Sequence, residues 1–182
     1  PTTSVAAYQA YLRALRGTGD VSRGMDAAIQ LDSSFMAPWG EKLKEATFRY
    51  RTEPSAANGR AVDLVVTELG SRGEDDADVQ TGLGIYYRHR LKDWNTSLAH
   101  FNRARALAPG SGDVLTFMVP VVVALGRFEE GLRLAKQAAL LDPRSSSGLI
   151  RVGRVFNFLR QYDSADVYLA RAFGVPEGPP WF

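Results

Sequence analysis

A period of 34 residues is the feature that most limits what this chain can fold into. Pro109 and Pro143 stand 34 apart, as do Trp94, Phe128 and Tyr162, and as do Ala104, Ala138 and Ala172. Earlier in each unit Leu115 and Leu149, Met118 and Val152, and Val122 and Phe156 keep the same interval, so the repeat spans both halves of a unit. A fixed period of this size marks an architecture in which each repeat buries its apolar face only against its neighbours, so that three or more are needed for stability.

Within one period the apolar residues fall at helical spacing over 114–125, Gly126-Arg127 punctuates, and the pattern resumes from Phe128 to Leu141. Asp142-Pro143 ends it, because proline has no N–H to continue a helix and biases its predecessor away from helical angles. Each unit therefore reads as a helical hairpin. Ala104, Ala138 and Ala172 are expected to let helices approach closely, and Trp94, Phe128 and Tyr162 to fill the volume beside each hairpin turn. Pro120 lies inside a helical pattern and predicts a local bend.

The chain carries Leu83-Gly84-Ile85-Tyr86-Tyr87, then Ser97, Phe101, Ala104 and Pro109. This resembles the tetratricopeptide signature W-x2-L-G-x2-Y, then A-x3-F, then a closing proline. Leu115, Met118, Ala135, Ala138 and Pro143 repeat it, as do Leu149, Val152-Gly153, Phe156, Ala165, Leu169 and Ala172, with Pro176 one place early. The resemblance implies an all-α, right-handed α-solenoid of about five helical hairpins. Three clear units cover 77–176, two degenerate hairpins cover 1–76, and 177–182 form a tail. The connection from Gly70 to Asp76 reads as a polar joint between hairpins, so one domain over 1–182 is expected. Ala7-Tyr8-Gln9-Ala10-Tyr11-Leu12-Arg13, Asp93-Trp94 and Leu125-Gly126-Arg127-Phe128-Glu129-Glu130 further resemble the tetratricopeptide region of bacterial multidomain regulators. Those regulators carry winged-helix, adenylate cyclase or Ser/Thr kinase domains. The chain begins at Pro1 rather than methionine and reads as a segment of a larger protein.

Composition narrows the function classes. With no cysteine there is neither a disulfide framework nor a thiolate metal site, and the compartment stays open, cytoplasmic or extracytoplasmic. A net charge of +2 gives no global pull toward nucleic acid, and no contact with nucleic acid is expected. The apolar run over 119–125 is far too short to span a bilayer, and no membrane contact is expected of this segment. The basic stripe of Arg88, His89, Arg90, Lys92, Arg103 and Arg105 alternates with aromatics, but those aromatics occupy repeat-core positions, so it reads as a solvated helix face.

Catalytic and metal chemistry find no foothold. His89 and His100 lack carboxylates at metal-ligand spacing, and neither a phosphate loop nor a G-x-S-x-G elbow is present. The acidic run Glu74-Asp75-Asp76-Ala77-Asp78 lacks the ligand pattern of a calcium loop and is expected to cap a helix. A non-enzyme without metal or cofactor is expected, its partner a protein or peptide. By resemblance, first helices line the binding groove. That selects Thr81, Ile85, Arg88 and His89, then Thr116, Pro120 and Val123, then Ile150, Arg154, Asn157 and Phe158. Thr81 and Ile85 stand where a lysine and asparagine carboxylate clamp would begin, so that clamp is not expected. The competing reading is a small-molecule sensor domain controlling an attached output domain, in which Pro120, Arg154 and Phe158 would enclose a pocket. Self-association through an exposed end, with Trp181-Phe182 as anchor, is a further route.

Overall fold

The computed structural model describes residues 2–17, 20–70 and 72–174, so Pro176 and the Trp181-Phe182 anchor lie outside the described residues. Among them the secondary structure is wholly helical. In order, the helices are α1 (Val5–Arg16), α2 (Val21–Leu31), α3 (Met36–Thr52), α4 (Ala56–Leu69), α5 (Ala77–Tyr86), a π-helical turn (Tyr87–Leu91), α6 (Trp94–Leu107), α7 (Gly112–Ala124), α8 (Phe128–Leu141), α9 (Ser146–Phe158) and α10 (Tyr162–Phe173). They pair as five hairpins. The chain divides into two compact units, Pro1–Leu107 and Ala108–Phe182, a finer division than the single array read from the sequence.

In the first unit α1 packs on α2, α3 on α4, and α5 on α6, while α2 and α3 join the first two hairpins and α3 and α5 the next two. Side-chain caps start the helices: Ser4, Asp20, Ser55 and Asp76 each accept from free N–H groups of the first turn. Asp76 takes two such bonds, from the N–H groups of Asp78 and Val79, so the acidic run serves as a cap as expected. A core of Trp39, Leu43, Val62, Val65, Leu69 and Val79 fills the joint.

α3 and α5 run side by side in the same direction. A Cβ on Gly40 would lie 2.5 Å from the Asp78 carbonyl carbon, one on Gly82 would lie 3.2 Å from Leu43 Cδ2, and Phe48 meets His89. The order of these three contacts fixes the register, and it needs glycine where the two backbones touch.

The second unit repeats the plan with α7 on α8, α8 on α9 and α9 on α10. Ala104, Ala138 and Ala172 are all buried, as the period requires. The aromatics that share that period are a correction to the sequence reading. Trp94 and Phe128 are only half-buried and Tyr162 is 59% exposed, because each is the first residue of its helix, where the hairpin turn packs on one side only. Pro120 lies inside α7, which continues to Ala124 past its missing N–H.

The hairpin turns share a backbone device. Lys92, Gly126 and Arg160, again 34 apart, all adopt the left-handed conformation, with φ of 60°, 77° and 58°. The chain reverses there between first and second helix.

Candidate functional site

The third hairpin departs from the fourth and fifth in one respect. The helix before its left-handed residue holds one residue more: Asp76 caps α5 and the turn comes at Lys92, whereas Ser111 leads to Gly126 and Ser145 to Arg160. The close contacts agree. Gly84 faces Phe101, while its counterpart Gly153 faces Leu169, one residue nearer along the chain. The added residue is absorbed in the π turn, where the Lys92 N–H reaches back to the Tyr87 carbonyl. Such π bulges recur at functional sites because they redirect side chains without breaking the helix.

Here the redirected residues are Arg88, His89 and Arg90. Arg90 goes toward α4: its guanidinium pairs with Asp63 at 2.8 Å, lies over the Tyr50 ring at 5.1 Å, and passes 3.3 Å from where a Cβ on Gly59 would sit. Asp63 also accepts a 3.1 Å bond from the Tyr86 hydroxyl, and burial followed by this bond pushes the Tyr86 phenol up to about 12. The π turn is thus pinned to α4 from one side.

His89 turns to α3 instead. Its ring meets Phe48 edge-on with centroids 6.4 Å apart, and the Arg51 guanidinium lies 5.2 Å over the other ring. Phe48, Arg51, Arg88 and His89 are all half-buried, so they are held by packing yet keep surface to offer. An arginine stacked on an aromatic ring loses little more freedom when it then binds a carboxylate.

Nearer its start α3 carries the opposite charge. Lys44 binds Glu41 at 2.5 Å and reaches Asp78 at 3.8 Å, and Asp76 stands beside them at the α5 cap. Burial, then the carboxylates Glu41, Asp78 and Asp76, push the Tyr11 phenol up. Glu41, Lys44, Phe48 and Arg51 recur every three or four residues and so share one face of α3.

The residues selected from the sequence divide by burial. Thr81 and Ile85 are buried, Thr81 donating to the Ala77 carbonyl, while His89 joins Phe48 and Arg51 and Arg88 is half-buried beside it in the π turn. In the second unit Thr116, Val123 and Ile150 are buried and Pro120 is half-buried. Arg154, Asn157 and Phe158 are exposed, Phe158 stacking on Phe128 at 6.1 Å. Depressions of about 410 and 280 Å³ open on α1 and α2, lined by residues such as Gln9, Leu12 and Arg13, not by Pro120, Arg154 or Phe158. The stripe around Arg103 is partly neutralised, since Arg103 pairs with Asp75. His100 stacks on Tyr87 at 5.0 Å and its Nδ1 lies 2.8 Å from Gln80 Oε1, while the Gln80 amide donates to the Glu74 carbonyl, so Nδ1 carries the hydrogen. Among the described residues no group of three or more His, Asp or Glu is placed to hold a metal, and no helix is long and apolar enough to cross a membrane.

Sequence reading missed Glu41, Phe48 and Arg51, because the first third of the chain keeps too little of the repeat for its first helices to be aligned. Their spacing along α3 was the available signal.

No family model matches the chain, and no curated protein matches it. Solved structures do. The chain is similar to YrrB, a TPR protein with an unusual peptide-binding site, at 16% identity and a TM-score of 0.57, over 94% of this chain and 84% of that one. It is similar to MamA at 14% identity and a TM-score of 0.56, over 85% of each chain. The second TPR of Spaghetti (RPAP3), bound to the HSP90 peptide SRMEEVD, matches 57% of this chain over 94% of its own, at 16% identity and a TM-score of 0.52. At such identities the likeness is one of fold: all-α tetratricopeptide helical repeats.

Proposed function

We propose that this chain is a non-enzymatic interaction module that binds a peptide segment of a protein partner. The observation that carries the reading is the group of Phe48, Arg51 and His89, assembled from two parallel first helices at a π turn that also carries Arg88. Cations resting on aromatic rings suit carboxylates of a peptide, through charge-assisted bonds backed by apolar contact. Two fold neighbours are peptide binders by description, RPAP3 with its HSP90 peptide and YrrB, and they support the same reading here. Exposed Arg154, Asn157 and Phe158 offer a second contact surface of similar chemistry on α9. Their exposure favours an open surface over an enclosed small-molecule pocket.

For its setting, we propose the resemblance to bacterial multidomain regulators: the chain serves as the interaction region of a larger protein with a winged-helix, cyclase or kinase output. The full reading frame tests that part.

Binding itself is tested by selecting from a displayed random-peptide library and titrating the enriched consensus, as a synthetic peptide, against the chain and against Arg88→Glu and Arg154→Glu. Charge-assisted contacts are worth about 1–3 kcal/mol, so each reversal is expected to weaken binding by roughly ten- to a hundredfold with helicity intact. Unchanged affinity in both folded variants moves the site away from both arginines. A library that yields no binder overturns the module reading.

A further inference from the structure

The joint between the fourth and fifth hairpins shows what a second helix offers to the next first helix. Phe128 of α8 stacks on Phe158 of α9 at 6.1 Å, and Lys136 lies 5.2 Å over the Phe156 ring. A Cβ on Gly131 would lie 4.0 Å from Val155, and one on Gly148 would lie 3.1 Å from the Ala139 Cα. The contacts run in opposite order along the two helices, so the joint is antiparallel. Thirty-four residues on, the same four positions of α10 are Tyr162, Ala165, Ala170 and Phe173. Ala165 is buried against its own hairpin, but Tyr162 is 59% and Phe173 75% exposed, and Ala170 is exposed with them. Among the described residues no helix follows α10, and its joint face stands open. The last repeat of an array normally shows a polar outer face, and this one shows two aromatic rings.

α1 offers the opposite half of such a joint. It packs on α2 through Ala10 and Ala14, while Val5, Gln9, Arg13 and Arg16 recur at helical spacing along its exposed outer side. On this side opens the depression of about 410 Å³, lined by Gln9, Leu12, Arg13, Arg16 and Gly17. Set antiparallel to α1, α10 brings Tyr162 to Gly17, Asp166 to Arg13, Ala170 to Gln9 and Phe173 to Val5, since both rows recur every three or four residues. The same register sets Asp163 by Arg16 at the edge.

The charges agree with that register. Arg13 and Arg16 are the charged residues of α1, and Asp163, Asp166 and Arg171 those of α10. Arg171 rests on the Tyr168 ring at 5.6 Å, and Asp20, which shares the smaller depression with Arg13, pairs with Arg23 at 3.5 Å. The α2–α3 joint already has a bond of this sense, acid on the second helix and base on the next first helix: Asp26 meets Lys42 at 2.7 Å, with Glu68 3.7 Å away.

We infer that α10 of one copy docks antiparallel on α1 of a second copy, so that copies of this chain associate head to tail. Tyr162 enters the depression beside Gly17, Asp166 binds Arg13, and Phe173 covers Val5. The contact is heterologous, so it leaves one α1 and one α10 open and can be repeated. One helix face is a small interface, and the association is weak and weakened further by salt. The peptide-binding reading uses other residues and is decided separately.

The test is the mass of the full chain in solution, followed by sedimentation equilibrium from micromolar to millimolar concentration. The mass is expected to rise with concentration. Asp166→Lys and Arg13→Glu are each expected to weaken association about tenfold, or ~1.4 kcal/mol, and Phe173→Ser is expected to weaken it too. An equimolar mixture of the two charge variants is expected to associate as tightly as the unaltered chain, because each tail then meets a head of opposite sign. A two-fold α10–α10 contact has no such rescue and ignores Arg13→Glu. All three positions are exposed, and circular dichroism checks that helicity is kept; if a reversal disturbs it, Asp166→Asn and Arg13→Gln replace the pair as simple losses. A chain that stays monomeric to millimolar concentration overturns the inference. So does unchanged association in a folded Arg13 or Asp166 variant, or a mixture no tighter than its components.

Discussion

Arg90 of the π turn and Asp63 of α4 face each other at 2.8 Å, with the Tyr86 hydroxyl on the same carboxylate. That pair crosses from one hairpin to the next and holds the turn in its wider conformation. Both side chains keep about a third of their surface in water, 30% for Arg90 and 39% for Asp63, so solvent screens much of their attraction. Arg90→Met is expected to cost about 0.5–1 kcal/mol in urea unfolding, the range of exposed pairs. Its larger effect is expected on the site: signals of the His89 ring should broaden as the turn loses its clasp.

Gly40 marks the closest approach of α3 to α5. Alanine is ordinarily the better helix former by about 0.5–1 kcal/mol, but a Cβ at Gly40 would meet Asp78 backbone at 2.5 Å, which cannot rotate away. Gly40→Ala is expected to destabilise by about 1–3 kcal/mol, as overpacked cores do. Gly110→Ala, with nothing within 4 Å, is the control that should leave the midpoint of denaturation almost unmoved.

The left-handed residues at the hairpin turns make an uneven set, glycine at 126 but Lys92 and Arg160 at its equivalents. A side chain in this region costs roughly 1–2 kcal/mol, and glycine avoids that at some entropic cost in the unfolded chain. Gly126→Ala should therefore lower the thermal midpoint, whereas Lys92→Gly and Arg160→Gly should hold or raise it. A fall in all three variants would contradict this account of the turns.

His100 supplies the pH dependence. Burial lowers its pKa from the ordinary 6.5. The unfolded chain therefore takes up the proton first, so stability is complete above the unfolded pKa and is lost as pH falls from there through the folded value. Between about pH 7.5 and 5.5 the chain should lose stability more steeply than His100→Gln, by at most roughly 1.4 kcal/mol per pH unit. Parallel stability curves for the two proteins would show that the imidazole does not titrate differently on folding.

The repeat was legible because packing is periodic: Ala104, Ala138 and Ala172 are buried at the interval the sequence shows. Burial of the aromatics was not, since first-helix and turn positions share the period without sharing the number of packed neighbours; Tyr162 keeps 59% of its surface. Arg88 and His89 were selected by their repeat position and are half-buried, but the neighbours of His89 were not legible. Phe48 and Arg51 come from a hairpin whose sequence has drifted from the motif, and they meet His89 only because α3 and α5 run parallel. The added residue of the third hairpin was visible as a spacing, 17 positions from Gly84 to Phe101 against 16 from Gly153 to Leu169. Whether a spare residue ends in a longer loop or a wider helical turn depends on Asp63 and Gly59, which lie far away in sequence.

An insertion in a helix ordinarily propagates, turning every later side chain by about 100° about the axis. Here the disturbance dies at Lys92, and α6 onward keeps its phase with the following repeats. The array therefore behaves like a ruler with one expandable division. The first helix of a hairpin has gained a residue here while the second keeps its place in the period, so the change in length is confined to one turn.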